Sequence, residues 1–188
     1  YATHILHSFG IALRTPALRW TLAIAAVMGF STRAGFWLYE PYFVHVEIPI
    51  LWYGPIFGAF NIVAALTARY LAHRWQDART ALPAMALLLV SAWSIIIISL
   101  QQMVRAAYKP TLGAWVNGQV EDDVRATVHS IVGVVAALSF ALLSPLVGIS
   151  LDTRGTIPTY VWMGIGVSIG SIVLFIWRWL AAISVSRV

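Results

Sequence analysis

Long apolar runs separated by short charged segments dominate the chain. Asp, Glu, Lys and Arg are absent from residues 48–68, 80–104, 126–151 and 155–177. A bilayer core about 30 Å thick is crossed by roughly 20 helical residues, so each run is long enough for one membrane span. A fifth apolar segment, residues 18–43, has Arg19 at its start and is otherwise interrupted only by Arg33 and Glu40. The pattern predicts an all-α integral membrane protein.

The composition supports this class and excludes others. The chain of 188 residues is 60% hydrophobic and 10% charged, whereas soluble domains are about 25% charged. The net charge of +5 comes from single cations scattered between apolar runs, so no basic face for nucleic acid is built. The absence of cysteine excludes disulfides and iron–sulfur clusters. We expect no cofactor, no metal and no enzymatic activity.

The expected organisation is a cytoplasmic, interfacial lead-in over residues 1–17 and a transmembrane domain over residues 18–188. The spans are predicted at about residues 18–43, 48–70, 80–93, 94–118, 126–150 and 157–180. No signal peptide precedes Tyr1, and we expect the chain to be a piece of a longer one.

The distribution of cations decides the number of spans, because Lys and Arg concentrate in cytoplasmic loops. With six spans, one side holds nearly all of the loop cations and the other holds only Arg154. With five spans, the loop cations divide almost evenly between the two sides. The sequence therefore predicts a six-helix bundle with both termini in the cytoplasm.

The third predicted span is too short for a full crossing. Residues 80–93 would form roughly 21 Å of helix, against a hydrocarbon core of about 30 Å. We therefore expect a missing segment near residues 93–101. A single unbroken helix through this region would contradict that expectation.

Several motifs follow one another in an order that resembles one transporter family. They are residues 37–43 (WLYEPYF), residues 52–72, residues 104–106 with Pro110 and Asn117, residues 125–127 with Ser130, and the series Pro145, Gly148, Asp152 and Gly155. They resemble parts of helices seven, eight, ten and eleven in the C-terminal six-helix half of a major facilitator superfamily transporter. Glu40 departs from the family pattern, which usually has glutamine there.

The resemblance implies one half of a twelve-helix fold. It further implies a secondary active transporter that moves a small solute by alternating access, with proton-coupled efflux as one mode. The implied partners are the lipid bilayer, a missing N-terminal six-helix half and a small-molecule substrate, with no nucleic acid. The implied location is a bacterial or archaeal cytoplasmic membrane.

Three intramembrane cations are the strongest candidates for substrate binding. Arg33 lies close to the middle of the first span, where a charge is costly unless it faces protein or water. Arg105 and Lys109 share one helical face, where like charges repel unless an anion lies between them. These residues predict a cationic lining for an anionic or zwitterionic substrate. Alternatively, Arg105 and Lys109 snorkel or pair with a carboxylate of the missing half.

Three further residues complete the predicted translocation path. Glu40 is either a proton-coupling group or an ordinary residue at the external headgroup level. Asn61 either lines the path or makes a hydrogen bond between helices. Trp115 is a candidate for aromatic lining.

A charged loop precedes the fifth span. Arg125 and Glu121, together with Asp122 and Asp123, are predicted to form a cytoplasmic gate whose ion pairs break when the transporter changes conformation. The alternative is a solvated turn in which the two aspartates cap the next helix.

Two other functions are compatible with the sequence. A non-transporting membrane scaffold or assembly subunit requires that Arg33, Arg105 and Lys109 all have protein partners and line no cavity. A membrane-embedded enzyme using His129 requires a second convergent acid or histidine, and only residues 121–123 are near it in the chain.

Overall fold

The protein is all-helical over the residues that the structure describes. This computed structural model describes residues 9–10, 13–70 and 95–185. Its helices are α1 (Pro16–Trp37), α2 (Tyr39–His45), α3 (Tyr53–Tyr70), α4 (Ile95–Asn117), α5 (Asp122–Arg154) and α6 (Thr156–Val185), with a short 3-10 helix at Ile50–Trp52. The prediction of an all-α protein is confirmed for these residues.

Four segments are long and apolar enough to cross a membrane. They are Pro16–His45, Ile50–Arg69, Asp122–Arg154 and Thr156–Leu180. Helix α4 is not among them, because its two glutamines and the pair Arg105 and Lys109 lower its mean hydropathy. The prediction of helices long and apolar enough to span a membrane is confirmed for the four segments.

Part of the prediction falls outside the described residues. The third predicted span, residues 80–93, lies wholly in the undescribed stretch, residues 71–94. The missing segment expected near residues 93–101 overlaps that stretch, whereas α4 is one continuous helix from Ile95 onward. The missing segment therefore stays a prediction for the residues before Ile95.

Prolines and one glycine shape the helices. Pro16 is the first residue of α1, where its fixed φ suits a helix and its missing N–H is not needed. Gly155 has a φ of 81° and separates α5 from α6, a conformation that favours glycine. Pro110 and Pro145 lie inside α4 and α5, where each removes one backbone hydrogen bond.

Helix α1 forms the centre of the bundle. In the apolar section of α1 and α2, 61% of the residues are buried inside the protein, against 11% in that of α5. The main core cluster contains Trp20, Ile24, Ala25 and Met28 of α1, Val104, Ala107, Tyr108 and Leu112 of α4, Ala136 of α5 and Val167 of α6. Helix α1 therefore contacts three other long helices at once.

The backbones of α1 and α5 come very close at Gly29. A Cβ atom on Gly29 would lie 2.5 Å from the Cβ and 2.8 Å from the Cα of Ala136. Small residues allow such close helix contacts in membranes. The hydroxyl of Ser139 donates to the carbonyl of Ala26 over 2.9 Å and joins the same two helices.

Two hydrogen bonds to the segment Pro16–His45 give the direction of α4. The Gln102 amide donates to the Tyr39 hydroxyl just beyond the C-terminal end of α1, over 2.8 Å. The Trp115 indole donates to the Thr21 hydroxyl near the N-terminal end of α1, over 3.1 Å. Helix α4 is therefore antiparallel to α1.

Helix α3 also runs antiparallel to α1. The ring of Tyr53 lies 5.0 Å from that of Phe43, and the ring of Phe60 lies 5.6 Å from that of Tyr39. Later residues of α3 therefore lie beside earlier residues of the segment Pro16–His45. The first residues of α3 and α4 consequently lie at the same end of the bundle.

Candidate functional site

A polar cavity of about 320 Å³ lies between α1 and α4. Its lining residues are Thr32, Arg33, Phe36, Trp37, Arg105, Tyr108 and Lys109. The three intramembrane cations singled out in the sequence therefore lie around one cavity. We call it the cationic cavity.

Helical spacing explains how two short stretches build this cavity. On α1, Phe36 and Trp37 lie three and four residues after Arg33, so the three side chains share a face. On α4, Tyr108 and Lys109 stand in the same relation to Arg105. Because α1 and α4 are antiparallel neighbours, the two faces oppose each other.

Arg33 is held by a neighbouring helix. Its Nη1 donates a hydrogen bond of 2.6 Å to the carbonyl oxygen of Ala136 on α5. The same oxygen lies 3.0 Å from the Ser139 hydroxyl, whose single proton is shared with the Ala26 carbonyl. A guanidinium has five N–H donors, so this contact leaves most of them for other partners. Arg33 is thus oriented by the protein and still able to bind a ligand.

Arg105 and Lys109 differ in exposure. The half-buried Arg105 guanidinium lies over the Phe36 ring, 5.3 Å from its centroid. A cation over an aromatic face is attracted by the ring. Lys109 is exposed, one helical turn further along α4. The pair therefore presents one oriented guanidinium and one freer ammonium to the same space.

The positive charge of the cationic cavity is not balanced by an ion pair with any described carboxylate. Over residues 9–10, 13–70 and 95–185, no Asp or Glu forms an ion pair with Arg33, Arg105 or Lys109. In a region of low dielectric, like charges at this spacing repel, and an anion between them is strongly attracted. The arrangement favours binding of an anionic group.

A second cavity of about 210 Å³ adjoins the first. Tyr108 and Lys109 line both, and the second cavity extends towards Gly113, His129 and Gly133. His129 Nε2 forms a hydrogen bond of 2.8 Å with Oδ1 of Asn117. The open space thus continues from Arg33 along α4 towards the loop between α4 and α5, with His129 as a polar residue in its lining.

No family model, curated protein or solved structure matches the chain. The chemistry of the site therefore has to be argued from its own groups. Guanidinium groups bind carboxylates and phosphates through paired hydrogen bonds. The rings of Phe36, Trp37 and Tyr108 offer apolar surface beside them. Together they suit a small anion with an apolar part.

Glu40 and Asn61 lie outside both cavities. Glu40 is exposed in α2, beyond the break at Leu38 that ends α1. Asn61 is exposed on α3 and donates to the Phe57 carbonyl of its own helix over 2.9 Å. The structure therefore places neither residue beside Arg33, and Asn61 makes an intrahelical bond rather than one between helices.

Trp115 lies in the core between α1 and α4. Besides its bond to Thr21, its ring meets that of Trp20 edge to face, with centroids 6.0 Å apart. It lines neither of the two cavities. In this conformation Trp115 joins two helices.

The predicted gate residues lie at the start of α5. Arg125 forms an ion pair of 2.5 Å with Asp122, three residues earlier on the same helix. Glu121 is exposed at the position before α5 and makes no capping hydrogen bond with its side chain. Arg125 also donates to the Asn117 carbonyl over 3.5 Å, a long contact towards the end of α4. The ion pair thus lies within one helical turn, and Glu121 takes no part in it.

The described part of the chain offers no metal centre. No group of three His, Cys, Asp or Glu residues there could hold a metal ion. His129 has an amide partner, Asn117, rather than an acid or a second histidine.

Sequence reasoning missed four residues of the cationic cavity, Thr32, Phe36, Trp37 and Tyr108. Tyr108 was detectable, because it lies between Arg105 and Lys109 on their shared helical face. Phe36 and Trp37 follow Arg33 at the same spacings. A search for aromatic residues three and four positions after each intramembrane cation would have found them.

The buried pair of Gln102 and Tyr39 gives a testable stability effect. Tyr39→Phe leaves the Gln102 amide buried without this acceptor and is expected to cost about 1 kcal/mol. For a chain of this size the melting temperature falls by about 2–4 °C. The measurement is thermal unfolding in detergent, followed by tryptophan fluorescence.

The matched control for that variant is the double substitution Tyr39→Phe with Gln102→Leu. It removes both groups of this hydrogen bond, so its melting temperature should lie above that of the single variant. A double variant as unstable as the single one would show that the hydrogen bond is not the source of the effect.

Proposed function

We propose that this chain is the C-terminal six-helix half of a major facilitator superfamily transporter. The complete protein then moves a small anionic solute across a bacterial or archaeal cytoplasmic membrane by alternating access. The observation that carries the proposal is the cationic cavity, where Arg33, Arg105 and Lys109 surround one space and no described carboxylate neutralises them. Intramembrane charge of this kind marks a substrate or ion pathway.

The directions of the helices support six crossings. Helices α3 and α4 both start at the end of the bundle where α1 finishes, and both run antiparallel to α1. The last residue of α3, Tyr70, and the first residue of α4, Ile95, therefore lie at opposite ends. A sixth span over residues 80–93 would connect them, and both termini would then lie on the same side of the membrane, which the cation distribution assigns to the cytoplasm.

The open side of the bundle supports a partner half. Lys109 and Trp37 are exposed at the cationic cavity, with Trp37 at 68% exposure. Transporters of this architecture bind substrate between two repeats, near the middle of the membrane. A second six-helix half would close the cavity and exclude water from the bound anion.

The scaffold alternative fits the cavity less well. A scaffold requires that the three interior cations have protein partners and line no cavity. Arg33 does bond to Ala136, but Arg33, Arg105 and Lys109 all line the same space. The shared cavity therefore favours transport.

The proposal is tested with the complete protein in proteoliposomes. A panel of radiolabelled small carboxylates, phosphate esters, zwitterions and organic cations identifies the transported class, and an imposed pH gradient tests proton coupling. We expect transport of anions and none of cations. Transport of cations alone would contradict the assigned charge of the site.

Arg105→Gln and Lys109→Gln are each expected to lower the initial rate roughly 10- to 100-fold. A hydrogen bond to a charged group contributes about 1.5–3 kcal/mol, and 1.4 kcal/mol corresponds to about tenfold. The matched control is Arg14→Gln, which removes an exposed cation that lies outside the cavity. If the two cavity variants transport as well as the Arg14 variant, the site is wrongly assigned.

A further inference from the structure

A large apolar cavity of about 390 Å³ lies between α1, α5 and α6. It shares no lining residue with the cationic cavity. Its walls are mainly hydrocarbon, with Phe30 on α1, Leu143 and Leu146 on α5, and Trp162 on α6. We call it the apolar groove.

The few hydroxyl groups of the apolar groove already have partners. Ser139 donates to the Ala26 carbonyl over 2.9 Å. Ser150 and Thr159 bond to each other over 3.0 Å. No hydroxyl is left over to recognise a polar ligand, so the groove suits a hydrocarbon chain.

The surface around the groove is apolar as well. Leu146 and Trp162, which line it, are 62% and 56% exposed, and the neighbouring Leu142 is 74% exposed. All three belong to segments that are long and apolar enough to cross a membrane. The groove therefore opens on an apolar surface, which suits contact with lipid better than contact with water.

The length of the groove matches one leaflet of a bilayer. It follows α5 from Ser139 to Ser150, which is roughly 16 Å at 1.5 Å per residue. Half of a hydrocarbon core about 30 Å thick is about 15 Å. A single acyl chain that entered from the headgroup region would reach the middle of the membrane.

A cation stands at one end of the groove. Arg154 is the last residue of α5, one helical turn beyond Ser150, and its side chain is exposed. Its guanidinium lies 5.5 Å from the ring centroid of Trp162, which lines the groove. Among the described residues, no acid pairs with Arg154, although the exposed Asp152 is nearby in the chain.

We propose that the apolar groove and Arg154 together bind one anionic phospholipid. One acyl chain lies along the groove, and the phosphate bonds to the Arg154 guanidinium at headgroup level. Tryptophan beside the cation is typical of this depth in a membrane. A phospholipid supplies both a flexible hydrocarbon of the right length and an anion at its end. The site is separate from the proposed transport site and does not depend on it.

The test is native mass spectrometry of the complete, delipidated protein in detergent, titrated with phosphatidylglycerol or with zwitterionic phosphatidylcholine. The wild type should bind one phosphatidylglycerol in preference to phosphatidylcholine. Arg154→Gln should weaken phosphatidylglycerol binding about fivefold, because one cation near an anionic lipid contributes about 1 kcal/mol. Phosphatidylcholine binding should fall less, because its choline cation offsets the attraction between its phosphate and Arg154. The control is Arg14→Gln.

A second variant tests the groove itself. Gly166→Phe places a ring in the groove, and a Cβ at Gly166 meets no atom within 4 Å, so the backbone tolerates the change. Retention of both lipids should fall to the nonspecific level. The control, Gly58→Phe, adds the same ring at an equally open position on α3. Unchanged binding in Gly166→Phe, or equal lipid preference in Arg154→Gln and the wild type, would overturn the proposal.

Discussion

Gly29→Ala is expected to destabilise the protein by about 3 kcal/mol and to lower its melting temperature by about 6–12 °C. The added methyl carbon would lie 2.5 Å from the Cβ of Ala136 and 2.9 Å from its carbonyl oxygen. Backbone atoms cannot rotate away as a flexible side chain can. Helices α1 and α5 must therefore separate, and the core around Met28 loses contacts. Thermal unfolding in detergent measures the effect.

The matched control for this variant is Gly148→Ala on α5. A Cβ there meets no atom within 4 Å, and alanine in a helix is favoured over glycine by about 0.5–1 kcal/mol. Gly148→Ala should therefore be neutral or slightly stabilising. Adding Ala136→Gly to Gly29→Ala should restore only part of the stability, because the Cα of that residue remains too close. Equal melting temperatures for the two alanine variants would refute the close contact.

Arg33→Gln is expected to reduce transport by about 100-fold or more, the upper range for one charge-assisted interaction. The variant removes the cation that α5 orients towards the cationic cavity. Its melting temperature should change by less than about 3 °C, because the Ala136 carbonyl lies inside α5 and keeps its backbone hydrogen bond. The measurements are initial rates in proteoliposomes and thermal unfolding of the same preparation.

A large loss of transport together with a small change in melting temperature separates a transport role of Arg33 from a scaffold role. A residue that only joined helices would lose stability and transport together. Arg33→Lys keeps the charge but not the planar donor geometry, so we expect it to retain part of the transport activity. Full transport by Arg33→Gln would exclude Arg33 from the site.

The helices could be predicted from the sequence because lipid imposes a simple rule. Every backbone group in a bilayer must bond within its own segment, so long charge-free runs become helices. The run at residues 126–151 accordingly lies inside α5, and the run at residues 155–177 lies inside α6 except for Gly155. The break after Trp37 was not predicted, although the sequence carries its cause. Pro41 has no N–H to donate to the carbonyl of Trp37, four residues earlier.

The site was predicted only in part. A charge in an apolar span stands out against its surroundings, and Arg33, Arg105 and Lys109 all line the cationic cavity. Trp115 and Asn61 carry no such signal, because an indole or an amide can equally bond to its own or a neighbouring helix. Which of these occurs depends on helix rotation, and periodicity alone does not determine the rotation of a segment that is apolar on all sides.

The two interior prolines divide the bundle into stiff and compliant parts. The only proline of α1 is Pro16 at its first turn, so its hydrogen-bond ladder is uninterrupted. Pro110 breaks the ladder of α4 directly after Lys109, and Pro145 does the same beside the apolar groove. Bending is easiest where a ladder bond is missing. Bending of α4 at Pro110 would change the distance between Arg105 and Arg33. The affinity of the proposed site for an anion would then depend on how far this helix bends.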